Sequence, residues 1–151
     1  MKGTKWDKMG VIAMFIGEYN FNLDDNHRLS IPNNFKKYLQ EKLVIAKGFE
    51  KCLYLYNQSD FELLSEKINA LSFTKSMNRK FIRALNSGAF ETELDSKGRI
   101  FIGAKLLEYA GLNKECVIVG ASNRIEIWDK VEWEKEISQD VLADISEELD
   151  I

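Results

Sequence analysis

The sequence is poor in the residues that build disulfide frameworks, metal centres and phosphate loops. Its 151 residues include two cysteines, one histidine, one proline and nine glycines. Cys52 and Cys116 lack the paired spacing of a zinc site, and with His27 they offer too few soft ligands for one. We therefore expect two buried free thiols in a reducing compartment, and no metal or other cofactor.

Long apolar runs and catalytic sets are missing as well. No apolar stretch approaches the length of a membrane span and no secretory signal pattern is present, which predicts an intracellular protein without a membrane partner. Asp24, Asp25 and Asp95 could act as general bases, but no Ser/His/Asp or Cys/His set accompanies them. The glycines form no phosphate loop. The sequence thus predicts a protein that is not an enzyme and has no small-molecule substrate.

Charge is distributed unevenly along the chain. The formal net charge is −3, but residues 129–151 contain nine acids and two bases, a net −7 that leaves +4 on residues 1–128. A mildly basic body permits nucleic-acid binding without requiring it. The acidic segment has apolar residues at helical spacing, which predicts an amphipathic helix that docks on another surface; these residues are Trp133, Ile137, Val141 and Ile145.

One sequence frame occurs twice. GEYNFNLDDNHRLSI begins at Gly17, and GAFETELDSKGRIFI begins 71 residues later at Gly88. In each copy an alternating run leads into a polar turn that aspartate opens, and an arginine resumes the next strand. The pattern predicts one hairpin made twice, with Arg28 and Arg99 on the face opposite four core side chains, namely Leu29, Ile31, Ile100 and Ile102.

The duplication continues through a short helix and two strands in each copy. NNFKKYLQEKL follows Pro32 with Lys36 and Lys37 facing outward. GAKLLEYAGL contains Gly111, which suits a helix end. The segments LVIAKG and CLYLY, then CVIVG and RIEIW, have strand character. We interpret residues 14–87 as the first half, 88–151 as the second half with the acidic C-terminal helix, and 1–13 as a flexible leader, an alternative start or expression-derived residues.

Two helices are predicted between the halves. Ser59 and Glu62 have capping-box spacing before the first, and the second runs from about residue 74 to residue 86. The second carries a basic stripe that we interpret as a solvated helix face; its residues are Lys75, Arg79 and Arg83.

The two turns allow two interpretations. Aspartate followed by polar residues is ordinary turn chemistry, and the arginines then are solvated or pair weakly with Asp24 and Asp95. Alternatively the turns form a binding surface, because arginine holds guanine or phosphate bidentately and Asn26, His27 and Lys97 add donors. An arginine at the same point of both copies favours binding, since turn geometry does not require it.

These features resemble a known family. The run MFIGEYNFNLD from Met14, the two DxxxR turns, the SGAFETELDSKGRI junction and the LLEYAGL helix are similar to the MraZ family of bacterial transcriptional regulators, which consist of two fused AbrB-like halves. The resemblance covers the chain from Met14 to about Val141. It implies an α+β fold, in which two tandem repeats form an AbrB-like swapped-hairpin β-barrel with flanking helices.

The resemblance also implies a function. Members of the family assemble into rings and present their turns to repeats in the promoter of the division and cell-wall gene cluster. Double-stranded DNA and further copies of the chain are the implied partners, and the cytoplasm and nucleoid the implied location. Carried over by motif position, the DNA-binding candidates are Asp24, Asn26, His27, Arg28, Asp95, Lys97, Gly98 and Arg99. Ionised aspartate only accepts hydrogen bonds, so its expected role is to orient the arginine.

Two positions depart from the family pattern, and two other functions stay open. Asn26 and His27 stand where a Lys-Gly or similar pair is usual, and Gly103 stands where a proline like Pro32 is usual. One open alternative is an AbrB-like antitoxin module whose acidic helix holds a partner protein. The other is a ring-forming structural protein with no nucleic-acid role. Salt-sensitive DNA binding distinguishes the regulator from both.

Overall fold

The alternating segments form strands, and the segments with helical periodicity form helices. The computed structural model describes residues 14–137 and 141–151, so the predicted leader at 1–13 lies outside the described residues. The strands are β1 (Glu18–Asn22), β2 (Arg28–Ser30), β3 (Leu43–Lys47), β4 (Leu53–Asn57), β5 (Phe90–Thr92), β6 (Arg99–Phe101), β7 (Glu115–Gly120) and β8 (Ile125–Asp129). The helices are α1 (Asn33–Lys36), α2 (Gln58–Asn69), α3 (Ser76–Ser87), α4 (Ala104–Ala110), α5 (Lys130–Glu136) and α6 (Val141–Leu149).

Antiparallel pairing organises the strands into two ladders. Six strands form a sheet in the order β1-β7-β8-β4-β3-β5, and β2 pairs with β6 in a separate ladder of two. The α+β class is therefore as predicted, but the predicted barrel is not closed. The reason is that β2 and β6 are three residues long and direct their ladder hydrogen bonds to each other, so in the described chain no ladder joins the sheet edges β1 and β5.

Strand pairing exchanges elements between the halves. The prediction that the strands flanking each turn pair with each other as a hairpin is wrong. Instead β1 pairs with β7 and β2 with β6, while β5 pairs with β3. Residues at corresponding positions of the two halves lie opposite each other where the halves meet. Leu29 is paired with Ile100 in the short ladder, and Tyr54 is paired with Glu126 at the centre of the sheet. The halves therefore follow an approximate two-fold axis. The swapped-hairpin part of the predicted fold stays a prediction.

The sheet buries both of its faces. One face packs against β2, β6, α1 and α4 in a core that includes the four predicted side chains, Leu29, Ile31, Ile100 and Ile102, each at most 2% exposed. The other face holds Tyr54, Tyr56 and Trp128, with side chains of α2, α3 and α5 packed on it. Because successive strand residues point to opposite faces, β4 and β8 are buried along their whole length.

The helix predictions hold in part. The capping box at Ser59 is wrong, since the Ser59 hydroxyl bonds the Gln40 side chain at 3.1 Å and α2 begins after Asn57. The Asn57 amide instead links β4 to the segment after α1, accepting from the Gln40 amide at 2.6 Å and donating to the Tyr38 carbonyl at 2.9 Å. None of the described helices combines the length and apolarity that a membrane crossing requires.

Helix ends also follow local chemistry. Gly111 ends α4 as predicted, with φ 61° and ψ 34° in the left-handed region that glycine enters without a Cβ clash. The acidic segment is helical on both sides of residues 138–140, but α5 ends at Glu136, where Ile137 has a non-helical ψ of 76°. The predicted single helix is therefore interrupted. The division at residues 87 and 88 stays a prediction.

The two cysteines confirm the prediction of free thiols. Cys52 and Cys116 are both unpaired and buried. Burial raises the pKa of each thiol to about 12, because the thiolate would lose its hydration in the core.

Gly103 has the backbone conformation of a proline. Its φ of −68° and ψ of 157° before α4 resemble the φ of −55° and ψ of 141° of Pro32 before α1. In the part of the chain that the structure describes, no heavy atom beyond its chain neighbours lies within 4 Å of the position that a Cβ would take. Gly103→Pro should raise the free energy of unfolding by about 0.4–1 kcal/mol, because the ring restricts the unfolded chain, and urea denaturation measures the change.

Gly111→Ala is the control with the opposite sign. The left-handed φ and the Lys51 Cε atom, 2.8 Å from the Cβ position, both disfavour a side chain there, so the variant should lose about 1 kcal/mol. A lower free energy of unfolding for Gly103→Pro would contradict the comparison with Pro32.

Candidate nucleic-acid interface

The same hydrogen bonds build both polar turns. Asp24 Oδ1 accepts from the amides of Asn26 and Arg28, each at 2.8 Å. Its counterpart Asp95 accepts from the amides of Lys97 and Arg99, each at 2.9 Å. A carboxylate is suited to this position because it satisfies two backbone donors that the tight turn leaves without strand partners. The aspartate therefore fixes the turn.

The fourth position of each turn requires a left-handed backbone. Gly98 has φ 74° and His27 has φ 61°, so the two copies use the same geometry with different residues. His27 pays a steric cost that Gly98 avoids. The His27 ring lies 6.5 Å from the Phe101 ring on the neighbouring strand, and Phe101 was not predicted to take part in this surface.

Pairing of β2 with β6 brings the two turns side by side. On either side of this ladder the Ile31 amide donates to the Gly98 carbonyl at 3.1 Å, and the Ile102 amide donates to the His27 carbonyl at 2.9 Å. Each turn is thus hydrogen-bonded to the strand that follows the other. The sequence predicted two turns, and the structure joins them into one surface.

Arg99 lies between the carboxylates of both turns, and Arg28 lies near that of Asp95. Arg99 Nε donates to Asp95 Oδ2 at 2.9 Å, and its NH1 lies 3.4 Å from Asp24 Oδ2. Arg28 Nε lies 3.9 Å from Asp95 Oδ2. The Arg28 side chain is 39% exposed and that of Arg99 is 28% exposed. We call these four residues the Asp–Arg quartet. The two carboxylates hold the Arg99 guanidinium by hydrogen bonds, and part of each arginine side chain stays open to solvent.

The remaining candidates surround the quartet. Asn26, His27 and Lys97 are exposed at the turns, and Gly98 is partly exposed beside them. Among the described residues no group of three His, Cys, Asp or Glu side chains could hold a metal ion. The surface therefore offers fixed hydrogen-bond donors and charges, and it can hold an anion or a polar edge.

The comparison with protein families identifies the chain. A family model described as "MraZ protein, putative antitoxin-like" matches residues 14–84 and again residues 85–150. The chain belongs to the MraZ family. The two MraZ matches begin 71 residues apart, the same offset as the repeated frame, which confirms the resemblance and the two-repeat organisation. The MraZ description is that of an antitoxin-like protein and names no enzymatic activity.

Backbone contacts keep both aspartates of this MraZ member ionised. The Arg28 amide lowers the pKa of Asp24, and the Arg99 amide lowers the pKa of Asp95, with the arginine charges adding to the effect. Both carboxyl groups therefore stay charged at neutral pH and continue to hold the Arg99 guanidinium.

The basic stripe on α3 is separate from the quartet. Arg79 NH1 donates to the carbonyls of Phe73 and Thr74 at 2.9 and 3.0 Å, so Arg79 anchors the start of the helix. Lys75 and Arg83 are exposed. This arrangement agrees with a solvated helix face.

Acid should weaken the turns. A carboxyl whose pKa is lowered by folding stabilises the fold above its ordinary value of 3.8, and this contribution is lost as pH falls through the folded value. Below about pH 4 the parent should therefore lose stability more steeply than Asp24→Asn/Asp95→Asn, in which the amide oxygens still accept the backbone bonds but do not titrate. Thermal unfolding from pH 6 to pH 2.5 measures this, and equal slopes for both proteins would contradict it.

Proposed function

We propose that this MraZ family member is a sequence-specific, DNA-binding transcriptional regulator of the division and cell-wall gene cluster, and that its targets are promoter repeats in double-stranded DNA. The observation that carries the proposal is the joining of two DxxxR turns into one surface with partly exposed arginines, Arg28 and Arg99. Turn formation does not require the two turns to be joined, since hydrogen bonds from backbone amides to Asp24 and to Asp95 already close each turn.

The geometry of Arg99 supports direct contact with DNA. Its Nε is bonded to Asp95, so the terminal nitrogens remain for a second acceptor once the 3.4 Å contact with Asp24 opens. A guanidinium held in this way can meet the two acceptors of guanine in the major groove, or a phosphate, bidentately. Asn26, His27 and Lys97 supply further donors for phosphates or base edges.

Oligomerisation is part of the proposed mechanism. A body charge of +4 is too small for one chain to bind tightly at physiological salt, whereas several linked copies multiply weak contacts. We propose a ring of identical chains that works in the cytoplasm at the nucleoid. Large apolar side chains on and before α3 support contacts between copies, since Phe73 is 71% and Met77 is 73% exposed.

Removing either arginine tests the proposal. Arg28→Ala and Arg99→Ala should each weaken binding to a duplex that carries the repeats upstream of the coding sequence by about 5- to 150-fold, the range of one lost base contact. Fluorescence anisotropy at fixed salt measures the affinity. Arg83→Ala is the control, because Arg83 is exposed on α3 and should leave binding near the parental value. Parental binding by both turn variants would contradict the proposal.

An antitoxin-like module is the second candidate, and α6 is the observation that favours it. Its apolar side chains are exposed, with Leu142 at 86% and Leu149 at 62%, and no residue of α6 is buried. An acidic amphipathic helix of this kind can lie in an apolar groove of a partner protein.

Truncation distinguishes the second candidate. Residues 138–151 should be removed, and not the whole acidic segment, because Asp129 is buried and accepts from the amides of Asn113 and Val131. A stoichiometric protein partner that is lost on truncation, together with no salt-sensitive DNA binding by the full chain, would favour the antitoxin-like module. DNA that co-purifies with the protein and is released by salt would contradict both this module and a purely structural ring.

A further inference from the structure

The two turns carry unequal charge although their backbones match. Residues 24–28 include Asp24, Asp25 and Arg28, a net −1 with His27 neutral. Residues 95–99 include Asp95, Lys97 and Arg99, a net +1. The approximate two-fold symmetry of the fold is therefore broken at the surface where the turns meet.

A lysine from the first half increases this difference. The Lys36 side chain crosses Gly98, with its Cε and Cδ at 2.6 and 3.3 Å from the position that a Cβ on Gly98 would take and its Nζ beside them. Only the missing Cβ of Gly98 makes room for this stem. Lys36 is the last residue of α1. The preceding residue, Phe35, is buried and fixes this helix against the core. The second turn thereby reaches a net +2.

The position in the second half that corresponds to Lys36 holds no cation. The residue 71 positions after Lys36 is Leu107, and His27 occupies the place of Gly98. Within the described residues no carboxylate lies within 4.0 Å of Lys36 Nζ, in contrast to Lys51, Lys130 and Lys135. The Lys36 charge is thus available to an anion that reaches the second turn.

We propose that Lys36, together with Lys97 and Arg99, makes the second turn the phosphate-binding side of the surface, and that the first turn contributes little to the electrostatic part of binding. This inference rests on the proposed function. The sequence predicts only that Lys36 faces outward from its helix. Its local pattern does not show that α1 lies against the turn of the other half, so its contact with Gly98 was not predicted. The alternative is a purely structural role, in which the aliphatic part of the Lys36 side chain only covers Gly98.

Salt dependence separates a phosphate contact from a covering stem. Lys36→Gln keeps a similar stem and removes the charge. For the parent, the logarithm of the association constant falls linearly with the logarithm of salt concentration, and the variant should make this slope shallower by about 0.9 for each chain bound. Because phosphates carry no sequence information, affinity should fall by the same factor for a duplex from upstream of the coding sequence and for an unrelated duplex of equal length.

Two variants complete the experiment. Lys37→Gln is the matched control, since Lys37 is the exposed neighbour whose Nζ lies 5.2 Å from the Tyr38 ring centre, and it should keep the parental slope. Lys36→Arg should restore the slope that Lys36→Gln loses. Thermal unfolding of each variant verifies that it folds, and Lys36→Met replaces Lys36→Gln if the latter does not.

The outcomes are distinguishable from those of the proposed function. If the parent shows no salt-dependent binding to either duplex, the proposed function fails. If the parent binds but Lys36→Gln, or Lys36→Met in its place, keeps the parental slope, or if Lys37→Gln changes the slope equally, the assignment of Lys36 is overturned while DNA binding by the arginines stands.

Discussion

The pairing of β2 with β6 is the constraint on which the candidate site depends. This ladder is three residues long, yet it places Leu29 opposite Ile100 in the core and both turns next to each other at the surface. Each turn is tied to the other half by a hydrogen bond just beyond the ladder. Without this pairing Arg99 could not reach Asp24, 75 residues away in sequence.

Much of the local structure follows from local pattern. Segments rich in strand-forming residues correctly predict β3, β4, β7 and β8, and the aspartate-led turns form in both copies because the carboxylate satisfies nearby backbone amides. The four side chains predicted to face the core are buried, because successive residues of a strand point to opposite faces. These features depend on residues within a few positions of one another, which a sequence displays directly.

Long-range choices could not be predicted in the same way. Alternation says which face a strand buries but not which strand it joins, so the exchange of β1 and β5 between halves and the open sheet were out of reach. Ser59 has the correct spacing for a cap, yet Gln40 competes for its hydroxyl. The contact of Lys36 with Gly98 depends on both halves at once.

Comparison of the halves shows where the backbone tolerates divergence. His27 and Gly98 adopt the same left-handed geometry, and Pro32 and Gly103 the same extended one, so the fold has kept its dihedral angles while changing the residues that adopt them. Side chains that meet the core stay apolar in both halves. Between the shared aspartate and arginine the side chains of the two turns differ, which changes the surface charge without loss of architecture.

The unequal turns give the chain a direction. A surface with two identical turns would present the same face to a DNA strand read from either end. With a net charge of −1 on one turn and +2 around the other, the two possible orientations of a chain on a duplex are not equivalent. In the proposed ring, where neighbours follow one another by rotation, every chain would then point the same way around the circle. Such an array matches sites that all run in one sense along the DNA, and it mismatches sites that alternate in sense.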